Sequence, residues 1–274
     1  MSNFEQKKEN NDSNKKNLIY KIGFVVFSVA FLIIAGLMIK NHFAEQNAQN
    51  DFENLASQTI ESQNTESDTE EDVLASLGIE VPEKNLDWEN LKETNEHIYA
   101  WIYIPNTNVD YPILQHPELN DYYLDYNLDH SKGYPGCIYS QVQYNSTDFT
   151  DFNTVLYGHN MRNGTMFRTL HNFEDSTFFE ENRYVYVYTP EKVLVYDIFA
   201  AYAFDDRLIL AYFDNADAND REDYLEEVFG IRDMSAHFRE DIGVTTDSNI
   251  LTLVTCISTR PNHRYLVQGV LLNP

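Results

Sequence analysis

The feature that most constrains this chain is an uncharged stretch close to its N-terminus. Ile22–Ile39 gives 18 consecutive residues without a charge, which would be about 27 Å long as a helix at roughly 1.5 Å per residue. Together with Leu18–Tyr20, the stretch is long enough to cross a membrane. The sequence therefore predicts a transmembrane anchor over residues 18–39, with the folded part of the protein on one side of it.

The charges around this stretch predict its orientation. Five lysines precede it and only Lys40 closes it, so the positive-inside rule puts the N-terminus in the cytoplasm and everything after the anchor outside. A cleaved signal peptide is the alternative interpretation. We favour the uncleaved anchor because the apolar run is longer than a usual signal-peptide core, and because Asn41–Ala44 provides no clean cleavage site. We expect a single-pass protein of the cell membrane with an extracellular domain.

Composition divides the rest of the chain into three segments. Residues 1–17 are rich in Asn and Lys and have no apolar periodicity, which predicts a disordered cytoplasmic tail. Residues 40–84 are polar and contain the acidic run Glu66–Asp72, a composition typical of a solvated stalk. Residues 85–274 carry strand-like patterns and form the predicted folded domain.

The charge balance excludes several kinds of partner. The chain carries a formal charge of −25, of which the first 40 residues contribute +3 and the remainder −28. Such an acidic body has no electrostatic basis for binding nucleic acid or for lying flat on anionic lipid. The acidic residues follow no EF-hand spacing, and neither of the two cysteines has a CxxC neighbour. We therefore expect no metal site and no cofactor.

The folded domain is predicted to be all-β with a few helices. Apolar and aromatic runs punctuated by Pro, Gly and Asn are typical of the strands of an antiparallel sandwich or barrel. These runs cover residues 100–105, 109–114, 137–140, 153–158, 184–188 and 193–200. Asp87–Asn95 predicts a short amphipathic helix, and apolar spacing between Asn219 and Phe238 predicts another, inserted before the last strands.

A cysteine ends one of the last strand-like runs. Asn249–Cys256 is apolar and β-branched, Ile257–Asn262 breaks the pattern, and Tyr265–Leu272 resumes it. The end of a strand, beside a loop, is a place where a rigid scaffold typically presents a reactive group such as a thiol. A single cysteine is nevertheless more often a small buried residue. The other cysteine, Cys137, has the pattern of a buried strand position, and we do not expect the two to form a disulfide.

A reactive thiol needs a base, and His159 is the best candidate among the eight histidines. It follows the strand-like run Asn153–Gly158, in the same kind of setting as Cys256. Attack on a carbonyl also needs a donor for the oxyanion. Arg264 opens the strand after the cysteine loop, so antiparallel pairing would bring it over Cys256, whereas Arg260 lies in the loop. Taken alone, a strand-end histidine is more often structural, and either arginine could form a surface ion pair.

Taken together, these residues resemble the signature of the sortases, the membrane-anchored cysteine transpeptidases of Gram-positive bacteria. The resemblance covers roughly residues 85–274, the predicted folded domain. It rests on Thr252–Cys256 with Arg264 after it, and on Tyr157–Asn160 upstream. Within the family, Trp101–Ile113 and Gly158–Phe167 are similar to segments of class B members.

The resemblance implies a fold, a triad and a reaction. The fold is a closed eight-stranded barrel with N-terminal helices, and the triad is His159, Cys256 and Arg264. Cys256 would attack the Thr carbonyl of a pentapeptide sorting signal near the C-terminus of a secreted protein. An amine of a peptidoglycan precursor or a pilin lysine would then resolve the thioacyl enzyme. His159 would carry the protons, while Arg264 and backbone N–H groups would hold the oxyanion.

The resemblance also implies substrate contacts. Asn120 and Leu124 resemble the segment that lines the class B substrate groove. Val254 stands where some class B members have a small polar residue, and Ile257 stands where others have an acid, so both are predicted to influence which signal is accepted. With Thr255, which precedes the cysteine, these residues are the predicted substrate-binding set.

Two alternatives stay open from the sequence. A papain-like cell-wall Cys/His hydrolase would place its cysteine before its histidine and at a helix N-terminus, whereas here His159 precedes Cys256 and the cysteine ends a strand. The second alternative is a membrane-tethered β-domain that acts as a non-enzymatic adhesin or assembly scaffold, in which both residues belong to the core. The order and setting of the two residues favour the transpeptidase.

Overall fold

The computed structural model describes the backbone of residues 2–57 and 71–274, and the side chains of residues 20–57 and 73–274. The chain forms two compact units, Met1–Asn47 and Ala48–Pro274. The first unit lies within helix α1, Ser2–Ser57. Residues 2–17, where the sequence predicts disorder, belong to this helix, since extending an existing helix costs far less than starting one. Among the described residues, the segment from Tyr20 is the one helix that is long and apolar enough to cross a membrane.

The second unit contains six further α-helices, one 3₁₀ helix and nine strands among its described residues. The helices are α2 (Glu71–Ser76), α3 (Trp88–Thr94), α4 (Tyr122–Asp125), α5 (Ser176–Glu181), α6 (Ile209–Tyr212) and α7 (Ala218–Gly230), and the 3₁₀ helix is Phe167–Glu174. The strands are β1 (Ile98–Tyr103), β2 (Asp110–Leu114), β3 (Ile138–Tyr139), β4 (Asn153–Tyr157), β5 (Tyr184–Tyr188), β6 (Val193–Asp205), β7 (His237–Phe238), β8 (Ile250–Ile257) and β9 (Arg260–Leu271).

The strands close into the predicted eight-stranded barrel. They follow the order β5-β1-β2-β3-β4-β8-β9-β6, and β5 also pairs with β6, so the sheet returns to its start while β7 adds to the free side of β6. Most neighbouring strands pair antiparallel, as the strand pattern indicated, but β2 pairs with β3 and β4 pairs with β8 in parallel. Alternation of apolar residues does not encode the direction of the neighbouring strand. Direction depends on the connections, and those here are long enough for a parallel return.

Both predicted helices form, and an aspartate caps each one. The Asp87 carboxylate accepts the backbone N–H of Asn90 at 3.1 Å before α3, and the Asp217 carboxylate accepts that of Asn219 at 2.8 Å before α7. Side chains of this type satisfy N–H groups that a helix leaves unpaired at its start. Helix α7 ends at Gly230, earlier than predicted, because glycine and the polar residues after it weaken the helix.

Strand β8 separates two apolar clusters, because successive side chains of a strand point to opposite faces. Leu251 and Leu253 pack into the larger cluster. Ile250 and Val254 face a second cluster, which includes residues of α6 and α7. Cys256 has the parity of Val254, so it lies on the face of β8 that the segment between β6 and β7 covers.

A buried polar network fixes the register of the strands around Cys256. The Thr252 hydroxyl donates to the side-chain oxygen of Asn153 at 2.7 Å, which links β8 to β4. The Gln268 amide of β9 donates to that hydroxyl at 2.7 Å, and its oxygen accepts from the Tyr202 hydroxyl of β6 at 2.7 Å. A one-residue slip would leave these groups unpaired in the interior, which costs roughly 1–3 kcal/mol for each group. The network therefore locks four strands into one alignment.

Part of the predicted stalk packs into the folded unit. Phe52 and Leu55 at the end of α1, and Leu74 of α2, are buried in the larger cluster. The Phe52 ring stands edge-on to Tyr111 of β2, with centroids 5.4 Å apart. Burial of each such side chain stabilises the fold by about 1.5–3 kcal/mol. The acidic run Glu66–Asp72 lies outside the residues whose side chains are described, and the predicted segment boundaries stay predictions.

Candidate active site

The ends of β4 and β8 meet at a single cavity of about 350 Å³. Its lining residues include Cys256, His159 and Arg264. Much of the remaining wall is apolar, with Phe204 on one side and Leu266 on another. The structure therefore brings together the three residues that the sequence singles out.

The two cysteines occupy opposite environments. Cys256 is exposed and Cys137 is buried, and both are free. Burial raises the pKa of the Cys137 thiol well above its ordinary value, with a smaller contribution from the charge of Asp129. A thiol becomes nucleophilic only as the thiolate. Of the two, only Cys256 can be reached by a substrate, and the expectation that they do not pair is confirmed.

His159 is held in place from both sides. Its Nε2 donates to the backbone carbonyl of Leu124 at 2.8 Å, since a carbonyl oxygen can only accept. The neutral ring therefore keeps its free lone pair on Nδ1. The ring of Tyr134 stands edge-on to it, with centroids 5.0 Å apart. These contacts restrict the rotation of the imidazole at the mouth of the cavity.

Three hydrogen bonds tie the segment that carries His159 to the strand that carries Cys256. The Gly158 N–H donates to the Val254 carbonyl at 3.1 Å. The Thr255 hydroxyl donates to the Gly158 carbonyl at 2.8 Å. Beyond the histidine, the Asn160 amide donates to the Cys256 carbonyl at 2.6 Å. The backbone on each side of His159 is therefore fixed to β8, which limits how far the imidazole and the thiol can move apart.

Arg264 lies directly across the strand pair from Cys256, as the antiparallel argument predicts. Its guanidinium donates to the carbonyls of Pro261 and His263 at 3.1 and 3.0 Å. Strand β9 already begins at Arg260, so Arg264 lies within the strand and the turn is shorter than the sequence suggested. Arg260 itself is exposed and lies 4.0 Å from Asp233, which matches the surface ion pair considered for it.

The predicted substrate-binding residues divide into two groups. Leu124, Val254 and Thr255 line the cavity. Asn120 instead donates its amide to the Gln143 side chain at 3.0 Å, and Ile257 packs against the larger apolar cluster. A substrate contact stays a prediction for all five positions.

One wall of the cavity was not singled out from the sequence. It is formed by Phe204–Ile209, the end of β6 and the loop after it. Within this wall the Arg207 guanidinium donates to Asp205 at 2.8 Å and to Glu227 of α7 at 2.8 Å, and it lies 4.8 Å from the ring centroid of Tyr212. The Arg207 hydrogen bond lowers the pKa of Asp205. These ionic contacts hold the loop against α7, a feature that single-sequence patterns do not reveal.

A second histidine contacts the strand that carries Cys256, and it too was not singled out from the sequence. His171 lies on the 3₁₀ helix, and its Nε2 is 3.0 Å from the Cys256 carbonyl oxygen. Its Nδ1 is 2.6 Å from a carboxylate oxygen of Glu174. In the sequence, His171 does not follow a strand-like run as His159 does. The i, i+3 spacing to Glu174 was the one available signal.

Gly158→Ala is expected to destabilise the domain and to displace His159. A Cβ at this position would lie 2.5 Å from Ile138 and 2.6 Å from the Phe167 ring. Overpacking of this kind costs about 1–3 kcal/mol, so we expect the Tm to fall by roughly 2–12 °C. The matched control is Gly243→Ala, where nothing lies within 4 Å of the added atom. Equal melting temperatures for the two variants would contradict this steric argument.

A closed β-barrel that presents a thiol, an imidazole and a guanidinium in one largely apolar cavity has the architecture of a cysteine-dependent acyl-transfer enzyme. A family model described as the sortase domain matches residues 102–272. The chain belongs to the sortase family, in which it is a class B member and a cysteine transpeptidase.

Three relatives illustrate the similarity. The chain is 31% identical to sortase B of Listeria monocytogenes, over 67% of this chain and 73% of that protein. It is 28% identical to sortase B of Staphylococcus aureus, over 62% of this chain and 67% of that protein. Among solved structures, sortase B of Clostridium perfringens superposes with a TM-score of 0.60 at 32% identity, covering 67% of this chain and 98% of that chain.

These similarities confirm the predicted family, class, fold and transpeptidase function, and they do not favour the scaffold or hydrolase alternatives. Membership of the family implies sorting-signal substrates and amine nucleophiles. Sortases are cell-surface enzymes, and the apolar helix of this chain fits either an anchor or a signal sequence by length and composition.

Proposed function

We propose that Cys256 is the nucleophile of a two-step transpeptidation, with His159 as the acid and base and Arg264 as the oxyanion donor. The Cys256 thiolate attacks the Thr carbonyl of a sorting signal, the C–N bond breaks, and the leaving amine takes a proton from His159. The product is a thioester between Cys256 and the secreted protein. An incoming amine loses a proton to His159, attacks the thioester, forms the new amide and releases the Cys256 thiolate, which restores the starting state of the site.

One observation carries this assignment: the three side chains line the same cavity although they come from separate segments. Cys256 and Arg264 are register partners on β8 and β9, and hydrogen bonds fix the backbone on both sides of His159 to β8. Preorganised groups of this kind lower a reaction barrier because little reorganisation remains at the transition state.

Arg264→Ala is expected to lower kcat by about 10²–10³-fold, the usual loss when one oxyanion donor is removed. The matched control is Arg260→Ala, which removes a neighbouring arginine whose guanidinium lies 4.0 Å from Asp233 at the surface. That control should stay within about two-fold of the wild type, as is usual for an exposed pair. Steady-state kinetics measure both variants, and equal losses would overturn the role of Arg264.

The cavity lining supports a role in substrate selection for Leu124, Val254 and Thr255. Asn120 and Ile257 belong to the same proposed set, through contacts that a longer peptide makes outside the cavity. The substrates are secreted proteins that carry a C-terminal sorting signal. The acceptor is an amine of a peptidoglycan precursor or of a pilin lysine.

The proposed location of the enzyme is the cell membrane. Residues 18–39 form the anchor, residues 1–17 the cytoplasmic tail, residues 40–84 the stalk and residues 85–274 the extracellular catalytic domain. Five lysines before the apolar stretch, against the single Lys40 directly after it, support this orientation. Protease accessibility of the catalytic domain on intact cells is the corresponding measurement, and protection of the domain would reverse the orientation.

The test of the function uses the full-length chain in detergent. It is mixed with a library of labelled peptides, each containing one pentapeptide signal, and with triglycine or a lysine derivative as the acceptor. We expect cleavage after Thr and a new amide to the acceptor for a subset of signals. Hydrolysis or exchange that is equally fast without functional Cys256 would refute the proposal.

A further inference from the structure

We propose that His171, together with Glu174, is a positioning residue for the nucleophile and acts by holding the Asn160 amide on the Cys256 carbonyl. This inference rests on the proposed function, because it assigns a role to residues behind the thiol. None of the three side chains lines the substrate cavity. They act on the backbone that carries Cys256 and His159.

Four short contacts define the cluster. The Cys256 carbonyl oxygen accepts from the Asn160 amide at 2.6 Å and lies 3.0 Å from Nε2 of His171. That Nε2 is also 3.0 Å from the Asn160 amide nitrogen. On the other side of the ring, Nδ1 of His171 is 2.6 Å from Glu174. The imidazole therefore bridges the Glu174 carboxylate to the Asn160 amide and the Cys256 carbonyl.

The Cys256 carbonyl depends on side chains because the backbone pairing of β8 with β4 ends just before it. In a ladder, alternate residues of a strand bond the same neighbour. The Val254 carbonyl accepts the backbone N–H of Gly158 at 3.1 Å on the β4 side. The Cys256 carbonyl faces the same way two residues later, and there the Asn160 and His171 side chains satisfy it and fix the direction of the peptide that follows the nucleophile.

The proton positions are consistent with this role. A carboxylate only accepts, so Nδ1 of His171 carries the hydrogen that bonds Glu174. In the imidazolium form Nε2–H donates to the Cys256 carbonyl, and in the neutral form Nε2 accepts from the Asn160 amide. Both forms keep His171 in contact with the pair formed by Asn160 and Cys256.

The His171 ring is itself held in place. Its side chain is only 10% exposed, and it stacks on the Tyr265 ring with centroids 5.0 Å apart and planes at 24°. Tyr265 pairs with Thr255 across the strands, one position before the nucleophile. The ring is thus anchored to the same pair of strands that carries the thiol and Arg264.

The expected consequence is a loss of alignment with little change in peptide binding. Without His171, the Asn160 amide can rotate away from the Cys256 carbonyl, and the bonds of Gly158 alone hold the His159 segment to β8. Misplacement of reacting groups by about 1 Å can cost about 10²-fold in rate. We therefore expect kcat to fall by about 10–100-fold while KM changes by less than about three-fold.

Two substitutions at this position separate hydrogen bonding from packing. His171→Phe keeps a ring that stacks on Tyr265 and removes both nitrogens. His171→Gln loses the stack and keeps an N–H donor near the position of Nε2. The matched control is His237→Phe. His237 donates to the backbone carbonyl of Glu174 at 3.0 Å, and its ring centroid lies 5.4 Å from that of Phe179, yet these contacts lie away from the nucleophile strand.

The experiment measures kcat and KM of these variants, full length in detergent, with a peptide accepted in the library screen and triglycine. We expect His171→Phe to lose about 10–100-fold in kcat, the range that misalignment of reacting groups produces. His171→Gln should recover much of that loss, and His237→Phe should match the wild type. Equal kcat for His171→Phe and the wild type, or a larger loss for His171→Gln than for His171→Phe, would overturn the positioning role. If the positioning role of His171 fails while Cys256→Ala is inactive, the proposed function is still supported. Turnover by Cys256→Ala would instead refute the proposed function and this inference with it.

Discussion

Cys256→Ala is expected to abolish transpeptidation, with a loss of at least about 10⁴-fold in kcat, because the sulfur that forms the proposed thioester is removed. The thiol is exposed, so its removal should leave the Tm within a few degrees of that of the wild type. The measurement is amide exchange between a labelled signal peptide and triglycine. Mass spectrometry of the stopped reaction should show the acyl adduct on the wild type and not on the variant.

Cys137→Ala is the matched control for this experiment. The Cys137 thiol is buried and donates to the Tyr126 carbonyl at 3.5 Å. Its loss should reduce the stability by about 1–3 kcal/mol and leave the thiol chemistry intact. In the folded wild type, iodoacetamide should modify one cysteine and stop turnover. Residual exchange above about one tenth of the wild-type rate in Cys256→Ala would contradict the nucleophile assignment.

His159→Ala is expected to lower kcat by about 10²–10⁴-fold, the usual range for a missing general acid and base. The imidazole gives a proton to the leaving amine and takes one from the incoming amine, so both steps should slow down. The variant also loses the hydrogen bond to the Leu124 carbonyl. Kinetics with the same peptide and acceptor measure the effect.

Chemical rescue provides the control for the histidine. Free imidazole in the buffer should restore part of the activity of His159→Ala and none of the activity of Cys256→Ala, since it replaces a proton carrier and not a nucleophile. If both variants respond alike, or if His159→Ala turns over like the wild type, the acid and base role belongs elsewhere.

The strand-borne part of the site could be predicted because β-structure has a simple period. Cys256 ends a β-branched run, and its partner Arg264 follows from antiparallel pairing across a short turn. His159 follows a second such run. In each case the local pattern specifies the strand, and the strand end specifies where the side chain emerges.

The features of the fold and the site that could not be predicted depend on contacts between segments that are far apart in the sequence. Nothing in the alternation of β4 and β8 indicates that they pair in parallel. His171 reaches the Cys256 carbonyl from a 3₁₀ helix, and Arg207 lies in a loop that its ion pair with Glu227 holds against α7. Phe52 lies in a polar segment whose composition hides the one face that is buried. Patterns within a single segment carry no information about such partners.

The parallel pairing of β4 and β8 also has a consequence for the folding of the enzyme. The Thr255–Gly158 and Asn160–Cys256 bonds join residues 97 and 96 positions apart. Contacts at such long range form late, because the entropy of closing the intervening loop is lost before the contacts repay it. The intervening chain includes β5, β6 and α7, and its folding brings the two strands together. We therefore expect a newly made chain to close its barrel and to assemble the site around Cys256 in the same late step. Partly folded molecules should then be inactive.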